Sequence, residues 1–65
     1  MDTAALSKWI KDSGLKKGAI AARMGITTYA LAQKVSGLRE FKASEIRIFS
    51  DLGMSDAARD QIFFG

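Results

Sequence analysis

Four glycines, Gly14, Gly25, Gly37 and Gly53, cut a 65-residue chain into pieces that leave room only for short elements. Between them, apolar residues recur three and four positions apart, the period of an amphipathic helix, and a glycine is the residue most suited to end one. The first segment, about Thr3–Ser13, turns Leu6, Trp9 and Ile10 to one face and Lys8, Lys11 and Asp12 away from it. The second, about Lys17–Met24, is rich in small residues and places Ile20, Ala21 and Met24 inward. The third, about Thr28–Ser36, follows Thr27, a good N-cap, and anchors through Leu31 and Val35. The fourth, about Ala43–Leu52, is expected to bury Ile46, Phe49 and Leu52. The fifth follows Ser55, a second N-cap, with Asp56 facing the helix dipole and Ala58 and Ile62 toward the core. No stretch alternates long enough for a strand, and no hairpin dipeptide of the Asn-Gly type occurs. The expected fold is all-α: one domain, residues 1–65, in which five short helices surround a single core.

With no cysteine, disulfides, thiolate zinc sites and thiol catalysis are excluded. With no histidine, the usual general base and the usual metal ligand are missing too. Asp51, Asp56 and Asp60 show no spacing suited to paired acid–base work, and there is no glycine-rich phosphate loop. Neither a metal nor a cofactor is expected, and the chain is read as a non-enzyme. Apolar runs fall far short of the ~20 residues of a membrane span, and nothing resembles a signal peptide, which points to a small soluble intracellular protein.

Charge is unevenly spread. Residues 8–47 hold nine of the ten basic side chains and three acids, a net +6, whereas residues 48–65 carry −2. A basic body beside an acidic end favours one electropositive surface.

The stretch Ile20–Gly37 carries the functional signal. Two helical patterns are joined by Met24, Gly25, Ile26 and Thr27. Ala21 is small enough for a close helix crossing, Gly25 can take the left-handed conformation of a tight turn, and Ile26 can fill the angle between helices. Thr28, Tyr29, Ala32, Gln33 and Ser36 are left on the outward side. This is the spacing of a helix-turn-helix over about residues 17–36, whose second helix, about 28–36, lies in the DNA major groove.

From Leu15 to Phe64 the chain resembles the phage Cro/repressor helix-turn-helix family, in particular the small Cro-like regulators of temperate phages of Gram-positive bacteria. The resemblance rests on Ile20-Ala21, Met24-Gly25-Ile26, the run Leu31 to Gly37, Arg39-Glu40-Phe41, Ser44-Glu45-Ile46, the run Asp51 to Ser55, and Ile62-Phe63-Phe64. It implies a compact five-helix bundle of the phage-repressor type. The implied function is a sequence-specific, double-stranded DNA-binding transcriptional regulator that occupies an operator in a lysis–lysogeny switch, in the cytoplasm of a bacterial host. The implied base-reading residues are Thr28, Tyr29 and Gln33. A glutamine amide can bond adenine N6 and N7 bidentately, and the Thr28 methyl can meet a thymine methyl. Tyr29 has a second reading, lying flat on the sugar-phosphate chain.

Phosphate contacts carried over from the family fall on Lys16, Lys17, Thr27, Lys34, Ser36, Arg39 and Lys42, which would hold register without reading sequence. Exposed amides at the start of the second helix would add to the attraction. For Lys8, Lys11 and Arg47, ordinary surface solubilisation is the better reading. Lys17 stands where the family usually has glutamine, and Lys16 and Lys42 stand where it usually has a capping threonine or serine. Each missing cap costs about 1 kcal/mol.

Ile48, Phe63 and Phe64 are candidate dimer contacts, although Phe63 reads first as core and Phe64 fits either role. Weak dimerisation, or dimerisation on DNA, would let two recognition helices read half-sites one turn apart. The Ile62-Phe63-Phe64 ending is expected to be a natural terminus. Two other functions fit the same fold: an antirepressor-like protein-interaction module acting through the apolar tail, and the DNA-binding antitoxin of a toxin–antitoxin pair.

Overall fold

The computed structural model describes residues 1–65. Five helices, with no sheet, run in the order α1 Thr3–Ser13, α2 Lys17–Met24, α3 Thr28–Val35, α4 Ala43–Asp51 and α5 Asp56–Arg59. The last continues without a break into a π-helical segment, Asp60–Phe64. The helices pack into a body of 27 × 22 × 20 Å. No helix is long and apolar enough to cross a membrane.

The starts follow local chemistry. Asp2 accepts the Ala5 amide at 3.0 Å, Thr27 the Ala30 amide at 3.0 Å, and Ser55 the Ala58 amide at 3.1 Å, each satisfying one otherwise orphaned donor. Between α2 and α3 the chain reverses at Gly25, whose φ of 72° is left-handed, and the Ile26 amide returns to the Ala21 carbonyl at 3.0 Å. Gly37 is held more tightly. Its φ is 88°, and a Cβ there would stand 3.3 Å from Thr3 Cγ2 on α1. The ends of α3 and α4 each fall one residue short of the sequence reading, with Ser36 and Leu52 acting as C-caps.

The core gathers Leu6, Ile10, Ile20, Ala21, Leu31, Val35, Phe49, Met54 and Ile62. Phe49, Leu6, Ile20 and Leu31 are fully buried, each contributing about 1.5–3 kcal/mol relative to exposure. Aromatic side chains surround Phe49. Trp9 meets it edge-on at 5.7 Å, Phe41 edge-on at 5.5 Å, and Phe63 tilted at 5.7 Å. Met24, Leu52 and Ala58 are half-buried against the core, not fully within it, and Ile46, expected to be buried, is half-buried and lines two surface grooves instead.

Two features lie outside what periodicity foretells. Met54 sits in a loop yet is buried, because its amide bonds the Phe49 carbonyl at 3.0 Å and turns the chain back over the core. The π-helical turn narrows the angle between successive side chains, so neighbouring Ile62 and Phe63 both face inward while Phe64 stays 68% exposed. The Asp2 amide donates to the Ile62 carbonyl at 2.8 Å, tying the start of the chain to this segment.

Candidate nucleic-acid interface

Helix α3 has two faces of opposite character. Leu31 and Val35 enter the core, so Thr28, Tyr29, Ala32 and Ser36 project outward, Tyr29 being 72% exposed. Gln33 lies half-buried at the edge of that outer face. Its side-chain Nε2 donates to the Tyr29 hydroxyl one helical turn earlier, at 3.0 Å.

The start of α2 is brought beside the start of α3. A Cβ at Gly18 would lie 3.9 Å from Thr28 Oγ1, so Lys16 and Lys17 stand next to the first turn of the outward face. Lys16 supplies no side-chain cap, and α2 has no acidic residue in its first turn. The partial positive charge of that helix end is therefore uncompensated from within the chain.

At the other end of α3 the Gln33 backbone carbonyl collects three donors: the Ser36 hydroxyl at 2.9 Å, the Leu38 amide at 3.0 Å and the Arg39 amide at 3.3 Å. This knot fixes the loop carrying Arg39 against the end of α3. Lys16, Lys17, Arg39 and Lys42 are all exposed, and none forms an ion pair. Thr27 uses its oxygen lone pair on the Ala30 amide and keeps its hydroxyl hydrogen to donate. Ser36 has spent its own hydrogen on the Gln33 carbonyl, so here it secures the end of α3 and presents no donor outward.

Lys34 requires a correction. Expected among the phosphate contacts, it is 3% exposed, and its ammonium donates to both carboxylate oxygens of Glu45 at 2.6 Å. The reason is its place on the helix, three residues after Leu31 and one before Val35, on the inward arc. It cannot reach DNA without breaking a buried pair. Its partner, Glu45, is not among the site residues that the resemblance implies. Glu45 is itself 4% exposed, and its Oε1 also accepts the Lys42 amide at 2.8 Å. This is the glutamate half of a capping box; a lysine has no acceptor with which to supply the other half. Burial pushes the Glu45 carboxyl up, but the Lys34 hydrogen bond, the Lys42 amide and the two lysine charges outweigh it and hold the carboxyl below its ordinary value. The signal was present in the sequence: Glu45 stands three residues after the N-cap Lys42, where a capping glutamate belongs.

The three candidate dimer contacts do not form one patch. Phe63 packs on Phe41 at 5.5 Å and on Phe49, inside the aromatic cluster. Phe64 lines one groove with Phe63 and Ile46 and a second with Ile46 and Arg47. Ile48 lies about 200° around α4 from Ile46 and borders neither groove.

No protein-family model, curated protein or solved structure matches the chain.

Proposed function

We propose that this chain is a sequence-specific double-stranded DNA-binding regulator of the phage Cro/repressor helix-turn-helix type, acting by occupying an operator. The observation that supports this reading best is the outward face of α3. It offers Thr28, Tyr29 and Gln33 between exposed basic residues, Lys16 and Lys17 at one end and Arg39 at the other, none of them ion-paired, with exposed Lys42 following in the same loop. In this reading α3 enters the major groove. Gln33 reads a base edge, Thr28 meets a neighbouring base, and the flanking cations neutralise phosphates along the groove walls. The uncapped start of α2 adds two backbone amides and its dipole to the phosphate contact. Two copies would read half-sites one turn apart. Blocking polymerase needs only occupancy, and no bond is made or broken.

Exposed Phe64 supports a second reading, a protein-interaction module acting through the tail. Selection from a randomised duplex pool at near-physiological salt separates the two, followed by anisotropy titration of the enriched duplex across salt. The DNA reading expects an enriched two-fold-symmetric motif. On it, Gln33→Ala should cost about 1–3 kcal/mol and relax the preference at one position, whereas Lys17→Ala should weaken every duplex alike and lower the salt slope by about one. A pool without an enriched motif, or a Gln33→Ala variant that binds all duplexes like the parent, defeats the assignment.

A further inference from the structure

The Gln33–Tyr29 hydrogen bond bears on which base can be read, an inference that rests on the DNA reading above. It is the one side chain–side chain hydrogen bond on the outer face of α3, joining an exposed tyrosine to a half-buried glutamine one turn apart. A glutamine amide has two N–H donors and one carbonyl acceptor. In the major groove, adenine presents an acceptor, N7, beside a donor, the N6 amino group; guanine presents two acceptors, N7 and O6. An unconstrained glutamine can satisfy either purine, turning its carbonyl and one N–H toward adenine or both N–H groups toward guanine.

Here one Nε2 hydrogen is already committed to the tyrosine oxygen at 3.0 Å. What remains is one donor and one acceptor, the complement of adenine. Against guanine the remaining N–H can reach N7 or O6 but not both, so the second hydrogen bond is lost unless the bond to Tyr29 is broken first. The same bond favours one set of Gln33 side-chain torsions before DNA arrives, which lowers the ordering cost of reading a little. Because it accepts from Gln33, the tyrosine hydroxyl keeps its own hydrogen free.

We infer that the Tyr29 hydroxyl is a specificity-determining positioning group that makes Gln33 select adenine over guanine. An exposed pair one turn apart adds little to helix stability, so removing the hydroxyl leaves the fold intact.

Tyr29→Phe deletes only that oxygen. The experiment selects duplexes with the parent, Tyr29→Phe and Gln33→Ala; the position whose preference vanishes in Gln33→Ala marks the base read by Gln33. Anisotropy then compares duplexes carrying A·T or G·C at that position. The parent is expected to prefer adenine by about tenfold or more. Tyr29→Phe is expected to narrow that ratio by about twofold, chiefly by tighter binding of the guanine duplex, with the parent's helical circular dichroism. A Tyr29→Phe variant that keeps the parent's ratio, or weakens both duplexes equally, overturns the inference while leaving the DNA reading in place. A parent that enriches no motif defeats the DNA reading itself, and this inference with it.

Discussion

Two helices in this protein begin after a lysine, and the two starts are handled differently. Lys16 precedes α2 and Lys42 precedes α4, in both cases with extended backbone and no side-chain cap. At α4 the deficit is met from within. Glu45 reaches back to the Lys42 amide, places a negative charge in the first turn, and is held there by buried Lys34. At α2 nothing equivalent exists: no acid lies in the first turn, and the following residues are Lys17 and the side-chain-less Gly18. One helix start is closed by its own anion and the other has none within the chain. A lysine in place of a cap therefore has two outcomes, set by whether a glutamate follows three residues later.

The sharpest way to break the comparison is at the buried pair. Glu45→Ala strands the Lys34 ammonium inside the protein, and Lys34→Ala strands the carboxylate; either is expected to cost about 3–5 kcal/mol. That is a large part of the stability of a 65-residue domain, about 3–10 kcal/mol at typical values per residue. Urea titration followed by circular dichroism measures it, and the double variant Lys34→Met, Glu45→Leu should recover most of the loss.

Acid probes the same pair more gently. The Glu45 carboxyl titrates lower in the folded than in the unfolded chain, so its contribution is complete above the ordinary glutamate range and is lost as pH falls through the folded value. Urea midpoints of the parent should drop below about pH 5 from this source. Glu45→Gln should lack that part of the dependence. An equal fall in parent and variant would show that other groups carry it.

A smaller effect sharpens the contrast from the other side. Lys16→Ser supplies the missing cap to α2 and should raise stability by about 1 kcal/mol, while lowering affinity for every duplex and the salt slope by about one. Lys42→Ser should stabilise less, because Glu45 already answers the dipole of α4. Equal gains at the two positions would mean that the glutamate does not distinguish them.

Much of the helical plan is legible in the sequence because the signals are local. The glycines mark stops, Thr27 and Ser55 mark starts, and Leu31 with Val35 marks the buried side of α3. The outward placement of Thr28 and Tyr29 follows from the same period. What escapes is chemistry that depends on two elements meeting. A lysine on an inward arc reads as surface charge until its partner, eleven residues later, is seen to lie beside it. The π-helical turn has no local signature, so the separate fates of Phe63 and Phe64 follow only from packing against Phe41 and Phe49. Tyr29 and Gln33 stand at a spacing that permits a bond, but the three-dimensional arrangement is needed to show that the tyrosine oxygen takes one of the amide hydrogens.

The most direct measurement follows the backbone amide chemical shifts of the labelled protein during titration with the selected duplex. The expected result is that Lys17 and Gly18 at the open start of α2 move most, together with Thr28, Tyr29, Gln33 and Arg39, while Ala43 and Ser44 at the closed start of α4 move less and the tail around Phe64 stays still. Largest shifts at Phe64, Ile48 or the first turn of α4 would contradict the assignment and transfer the binding surface to the apolar end of the molecule.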